Sequence, residues 1–165
     1  MEYIHSLPGI ESPAATAREG CFLCDYAAQP EQDAANLVVG RRDSALVVLN
    51  RYPYTNGHLL IALNEHKADL AELSDSQMLA VWGLTRDAKL LLTELLRPDG
   101  FNIGINFGRC AGAGLPGHLH IHVVPRWNGD TNFMAVVGDV RVIPQALAQV
   151  CDQLRLIAPR FNIGT

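Results

Sequence analysis

Six histidines and four cysteines carry most of the side-chain chemistry in this 165-residue chain. Three of the histidines stand in strict alternation in the run HLHIHVVPRW, residues 118 to 127. Side chains on a strand point alternately to its two faces, so His118, His120 and His122 share one face while Leu119, Ile121 and Val123 share the other. Neighbours in such a row stand about 6.7 Å apart, two strand rises, which is close enough to serve one ligand. A neutral imidazole, with an unperturbed pKa of about 6.5, attacks phosphorus competently, and its phosphoramidate product is labile enough to turn over. The same three rings also suit a catalytic metal, since histidine is the commonest metal ligand. Metal-dependent hydrolysis is therefore a rival reading of the same row.

Two further groups bear on chemistry. Cys21 and Cys24 form a CxxC pair, whereas Cys110 and Cys151 are isolated. In a reducing compartment such a pair reads as half of a metal site or as a redox couple rather than a structural disulfide. Zinc favours tetrahedral Cys and His sets, and His5, His58, His66, His118, His120 and His122 are all available to complete one. The second group is the glycine-rich run from Gly108 to Gly117, GRCAGAGLPG, which delivers the chain to the histidine strand. Glycines let successive backbone N–H groups face an anion without Cβ interference, so this loop reads as a phosphate cradle or as a wide turn.

The elements that must position these groups follow from periodicity. Residues 1–17 form an N-terminal arm without sustained pattern, and CFLCDYAAQ reads as a tight turn entering a short helix. NLVVGRR (36–42) and SALVVLN (44–50) are strands joined by a hairpin at Asp43, and HLLIAL (58–63) is a third strand after the turn-rich RYPYTNG. Ser74 and Gln77 make an S-x-x-Q capping box that opens a long helix closed by Pro98, with Met78, Val81, Trp82, Thr85, Ala88, Lys89 and Leu92 at helical spacing; Met78 and Trp82 read as core. GFNIGINFG (100–108) alternates like a strand, residues 128–145 contain one or two short strand-like runs, and QALAQVCDQLRLIA is a final amphipathic helix. The sum is one α+β domain with a mainly antiparallel sheet: a body from 18 to 128 and an extension, 129–165, packed on it.

Composition narrows the function. Hydrophobic content of 48% with 18% charged residues suits a soluble globular domain, and no apolar run is long enough to span a bilayer. The N-terminus lacks the features of a signal peptide, so a cytoplasmic location and no membrane partner are expected. A formal charge of −4 argues against a nucleic-acid partner. It leaves room for a small phosphorylated ligand held by local donors, and Arg51, Lys67, Arg109 and Arg126 lie in or near the candidate segments.

HLHIHVV resembles the HφHφHφφ signature of the histidine triad superfamily of nucleotide hydrolases and transferases. The likeness runs from about residue 20 to 158, through CFLC, LNRYPYTNGHLLIA, His66, the helix, GFNIGINFG and HLHIHVVPRWNGDTNF. The PRWNGDTNF extension is most similar to the branch of bacterial diadenosine tetraphosphate phosphorylases, or ATP adenylyltransferases. The resemblance implies that His120 attacks the α-phosphorus, that His122 binds or polarises phosphate, and that His58 supports the site through hydrogen bonds. Asn50 would contact the ribose, and Asn106 with the loop at Gly108, Ala113 and Gly114 would contact phosphate. A structural zinc would be held by Cys21, Cys24, His66 and His118, with no position left open for water. Dimers or larger homo-oligomers are implied as well.

Hydrolase branches of that superfamily usually place Gln where this chain has Gly114. The expectation is therefore phosphorolysis of a dinucleoside polyphosphate through a nucleotidyl-histidine, with inorganic phosphate as acceptor. A dinucleoside polyphosphate or nucleoside phosphoramidate hydrolase, and a non-catalytic nucleotide binder, stand as alternatives.

Overall fold

A computed structural model describes residues 20–130 and 145–164. The N-terminal arm, His5 and the strand-like runs expected within 131–144 lie outside the described residues. In chain order the described elements are α1 (Phe22–Ala28), β1 (Val38–Arg42), β2 (Ala45–Leu49), β3 (Leu59–Leu63), α2 (Asp75–Leu96), β4 (Gly100–Ile105), β5 (His120–Arg126) and α3 (Leu147–Ile157). The five strands form one antiparallel sheet in the order β1-β2-β3-β5-β4. The fold is α+β, as the periodicity predicts. No described helix is long and apolar enough to cross a membrane.

Alternation divides the sheet into two faces. Val47, Leu49, Leu59, Ile61, Leu63, Ile121 and Val123 pack with Val81, Leu84, Ala88, Leu91 and Leu92 of α2 and with Val150, Cys151 and Leu154 of α3. Each valine, leucine or isoleucine taken fully out of water contributes about 1.5–3 kcal/mol, so this face carries the main core. Cys151 belongs to it, and burial pushes its thiol up to about 11, which keeps it inert. On the other face Val38, Leu46, Val48, Leu60 and Ala62 pack with Cys21 and Leu23 at α1. That second face carries His120 and His122, whose partners on β3 are Ala62 and Leu60.

Helix α2 begins as the sequence predicts: Ser74 accepts from the Gln77 amide, and the Gln77 side chain returns to the Ser74 amide. It ends at Arg97, which takes a left-handed conformation just before Pro98. One expectation needs correction. Trp82 is 45% exposed, and Met78 is only half-buried. The buried stripe is centred on Val81, Leu84, Ala88 and Leu91, and the 100° step per residue puts Trp82 about 140° round from that centre, on the exposed side with Leu79 and Leu90.

Two contacts fix the parts that surround the site. Arg41 binds the Asp33 carboxylate through Nε (2.9 Å) and Nη2 (2.5 Å) and also donates to the carbonyls of Tyr26 and Ala27, which ties the end of α1 to β1. Gly164 pairs with Arg41 in both directions and covers the outer edge of β1. A Cβ on Gly40 would lie 2.2 Å from the Gly164 carbonyl, so this close approach needs glycine.

Candidate active site and metal centre

The histidine row is divided between two sites. Strand β5 starts at His120 and not at His118, and the Leu119 amide between them donates to the Lys67 carbonyl at 2.6 Å. His118 meets the cysteines. Its Nε2 donates to the Leu63 carbonyl (2.9 Å), which leaves the Nδ1 lone pair facing Cys21 Sγ at 3.2 Å and Cys24 Sγ at 3.5 Å. His66 Nδ1 lies 3.3 Å from Cys24 Sγ.

One ligand atom from each of Cys21, Cys24, His66 and His118 falls within 4.8 Å of all the others. A tetrahedral zinc with bonds of about 2.0–2.3 Å spaces its ligands at about 3.3–3.8 Å, so the donor set and its spacing fit that ion. Among the described residues this is the cluster able to hold a metal; His120 and His122 are not part of it.

The remaining two histidines can be assigned tautomers from groups that only accept or only donate. His120 Nδ1 lies 2.7 Å from the His118 carbonyl, which can only accept, so Nδ1 carries the proton and Nε2 keeps its lone pair. His120 is 7% exposed, and desolvation pushes its pKa down, opposed in part by that hydrogen bond. It is therefore neutral at pH 7.

His58 is fully buried, and the Tyr54 main-chain amide donates to its Nδ1 at 3.1 Å. Asn50 Nδ2 lies 3.2 Å from the same nitrogen, while Asn50 Oδ1 accepts from the Tyr52 amide. His58 must then be protonated on Nε2, which donates to His122 Nδ1 at 2.9 Å. A neutral His122 consequently carries its proton on Nε2. Burial, followed by the charge of His120, pushes the His122 pKa down to about 4.

His120 and His122 stand on the wall of a cavity of about 440 Å³, within the range of small-molecule sites. Phe22, Tyr26, Val48, Leu60 and Leu115 make its apolar part, and Asn50, Arg51, Tyr52, Tyr54, Gly112 and Gly114 also line it. Phe22 and Tyr26 meet edge to face at 5.3 Å. The cavity combines flat apolar walls, an unprotonated imidazole nitrogen and an imidazole N–H donor. That set of groups can bind a planar ring and receive a phosphoryl group.

Of the predicted residues, His120, His122, Asn50 and Gly114 line the cavity. His58 lies behind the wall and reaches the cavity through His122. Asn106 Nδ2 is 3.4 Å from His122 Nε2 and 3.5 Å from the Gly112 carbonyl; because that Nε2 carries the proton, the Asn106 carboxamide must turn to set its accepting Oδ1 opposite it. Gly108 and Ala113 do not line the cavity; the Gly108 carbonyl instead accepts from the Ala113 amide and closes the loop, leaving Gly112 and Gly114 on the wall.

Sequence reasoning missed Phe22, Tyr26, Tyr54 and Leu115. The first two carried a usable signal, since aromatic residues inside and just after a metal-binding CxxC are carried wherever the metal pins their helix.

The HIT domain model matches residues 31–129 of this chain. The AP-4-A phosphorylase of Mycobacterium tuberculosis is 42% identical over 162 residues, covering 98% of this chain and 80% of that protein. The adenosine 5'-monophosphoramidase hnt1 of Schizosaccharomyces pombe is 31% identical over 84 residues, 51% of this chain and 59% of that protein. Among solved structures, a Zn-bound histidine triad family protein from Mycobacterium smegmatis superposes with a TM-score of 0.66 at 28% identity, over 84% of this chain and 95% of that one. With the domain match, the relatives and the divided histidine row in agreement, this chain belongs to the HIT domain family.

Proposed function

We propose that this protein is a nucleotidyl transferase that cleaves dinucleoside polyphosphates by phosphorolysis. His120 Nε2 attacks the α-phosphorus: an N–P bond forms, the bond to the bridging oxygen breaks, and the nucleoside polyphosphate departs with the electron pair. His122 donates its Nε2–H to a phosphate oxygen as charge develops there. Inorganic phosphate then attacks the same phosphorus, His120 leaves, and a nucleoside diphosphate is released. Diadenosine tetraphosphate would yield ATP and ADP.

The observation that carries this reading is the His120 hydrogen bond to the His118 carbonyl, which aims an unprotonated, neutral nitrogen at a cavity able to hold a nucleotide. A 42% identical relative named as an AP-4-A phosphorylase supports the substrate class. An acceptor anion has room beside Gly114, where an added Cβ would meet nothing within 4 Å. Asn50 contacts the ribose, and Gly114 with Asn106 binds phosphate, while the Gly108–Ala113 hydrogen bond holds the loop in shape. Zinc held by Cys21, Cys24, His66 and His118 is structural, its four protein ligands leaving no site for a reacting water.

Strand β4, an edge of the sheet among the described residues, with exposed Ile103 and with Phe107 just beyond it, and the Leu79, Trp82 and Leu90 side of α2 suit a homo-oligomer, which sedimentation would detect. The test of function is incubation with diadenosine tetraphosphate with and without phosphate. ADP that appears only with phosphate supports phosphorolysis; AMP at the same rate in either condition supports the hydrolase reading instead.

A further inference from the structure

We propose that Tyr54 is a positioning residue for the transfer step: its main-chain amide fixes the His58 tautomer, and its ring shields the His58–His122 pair so that His122 stays neutral and presents Nε2–H to the cavity. The inference rests on the transferase reading for its consequence, but its geometry is independent of it. Tyr54 lies in the loop between β2 and β3, which is held against β5 by the Thr55 hydroxyl donating to the Pro125 carbonyl at 2.7 Å. Its ring covers both imidazoles, with centroids 4.6 Å from His58 at 37° and 5.9 Å from His122 at 17°. Tyr54 is 45% exposed.

The amide sets the direction of the whole relay. A main-chain N–H cannot be reversed, whereas the Asn50 and Asn106 carboxamides can be turned. With Tyr54 N–H on His58 Nδ1, the 2.9 Å contact runs from His58 Nε2–H to His122 Nδ1. Protonating His122 would place an N–H on Nδ1, donor against donor at that distance. The relay therefore opposes the imidazolium by geometry, and shielding from water opposes it by desolvation.

The surrounding charges do not reverse this. His122 faces His58 from the loop and His120 at 4.9 Å on its own strand, beneath the Tyr54 ring. Leu60 of β3, Gly104 of β4 and Asn106 bring no charge, and Arg51 lines the same cavity. Among the described lining residues there is no carboxylate to favour a cation.

The experiment compares the full-length zinc-loaded protein with Tyr54→Phe and Tyr54→Ala. Nitrogen-15 histidine spectra give the His122 tautomer and pKa without turnover, and the acid limb of kcat/KM is read on diadenosine tetraphosphate. Tyr54→Phe, which keeps the ring and the amide, should keep the His122 tautomer and pKa and the position of the acid limb, whatever it does to the height of the profile. Tyr54→Ala should raise the His122 pKa and move the acid limb upward together, by about one pH unit or more. If the alanine variant does not fold, Tyr54→Leu carries the same expectation, since it offers no flat ring to cover both imidazoles. An unchanged His122 pKa in a folded ring-deleted variant overturns the role of Tyr54 and leaves the transferase reading standing. Absence of turnover in the parent, with the spectral shift present, overturns the reading and not the relay.

Discussion

Gly57→Ala places a single methyl group directly behind the site, and its cost can be worked from local geometry. Gly57 precedes His58 and has φ +77°, where an L-residue pays about 1–2 kcal/mol. The new Cβ would lie 2.4 Å from Leu96 Cδ1 and 3.1 Å from Leu92 Cδ2. The Leu96 methyl is the end of a half-buried side chain in the last turn of α2 and can swing aside; Leu92 is fully buried and cannot. Such overpacking costs about 1–3 kcal/mol, and the stiffer unfolded chain returns about 0.4–1 kcal/mol to the folded state.

The net loss should be about 2–4 kcal/mol, which for a domain of this size lowers Tm by about 5–15 °C. Urea unfolding of parent and variant measures it. Gly100→Ala is the control, because its Cβ would meet nothing within 4 Å and its φ is ordinary; it should fall within about 0.5 kcal/mol of the parent. A Gly57→Ala protein as stable as the Gly100→Ala control would refute the reasoning.

Three further outcomes are expected. Metal analysis should find one zinc per chain, and Cys24→Ala should lose it together with nucleotide affinity, because the same short helix carries Phe22 and Tyr26 to the cavity; a folded, metal-free variant with parent affinity would separate the two. Asp87 is 4% exposed and, against its desolvation, held below the usual carboxylate range by Arg86 and Arg42, so Arg42→Leu, which leaves the Arg86 pair in place, should destabilise the protein by about 1–3 kcal/mol in urea, and no loss would contradict a structural ion pair. His122 titrates near 6.5 unfolded and near 4 folded, so the unfolded chain binds the extra proton between those values; stability in urea should fall as pH drops from about 6.5 to 4. A flat profile there would contradict the buried neutral ring.

How much of this was legible beforehand depends on the range of the physics involved. The two-faced alternation of His120, Ile121, His122 and Val123 is a local period, and it predicts the sheet faces correctly. The same period puts His118 on the α1 side with His120 and His122, but His118 lies outside β5 and meets Cys21 and Cys24 instead of sharing the cavity. Cys21 and Cys24 announce half a metal site by spacing, but choosing His66 and His118 from six histidines required either a family likeness or the fold. The His58–His122 contact joins residues 64 apart and exists only because β3 lies beside β5, a pairing no window of sequence contains. Tyr54 is the clearest omission: its contribution comes from a backbone amide and a ring face, neither of which leaves a mark in residue type.

The most direct test of the central claim is to trap the covalent intermediate. The parent protein, mixed with diadenosine tetraphosphate labelled at the α-phosphorus and quenched under alkaline conditions before phosphate is added, should carry label on the peptide containing His120, and His120→Asn should carry none. Turnover by the parent with label absent, or found on another side chain, would contradict the account.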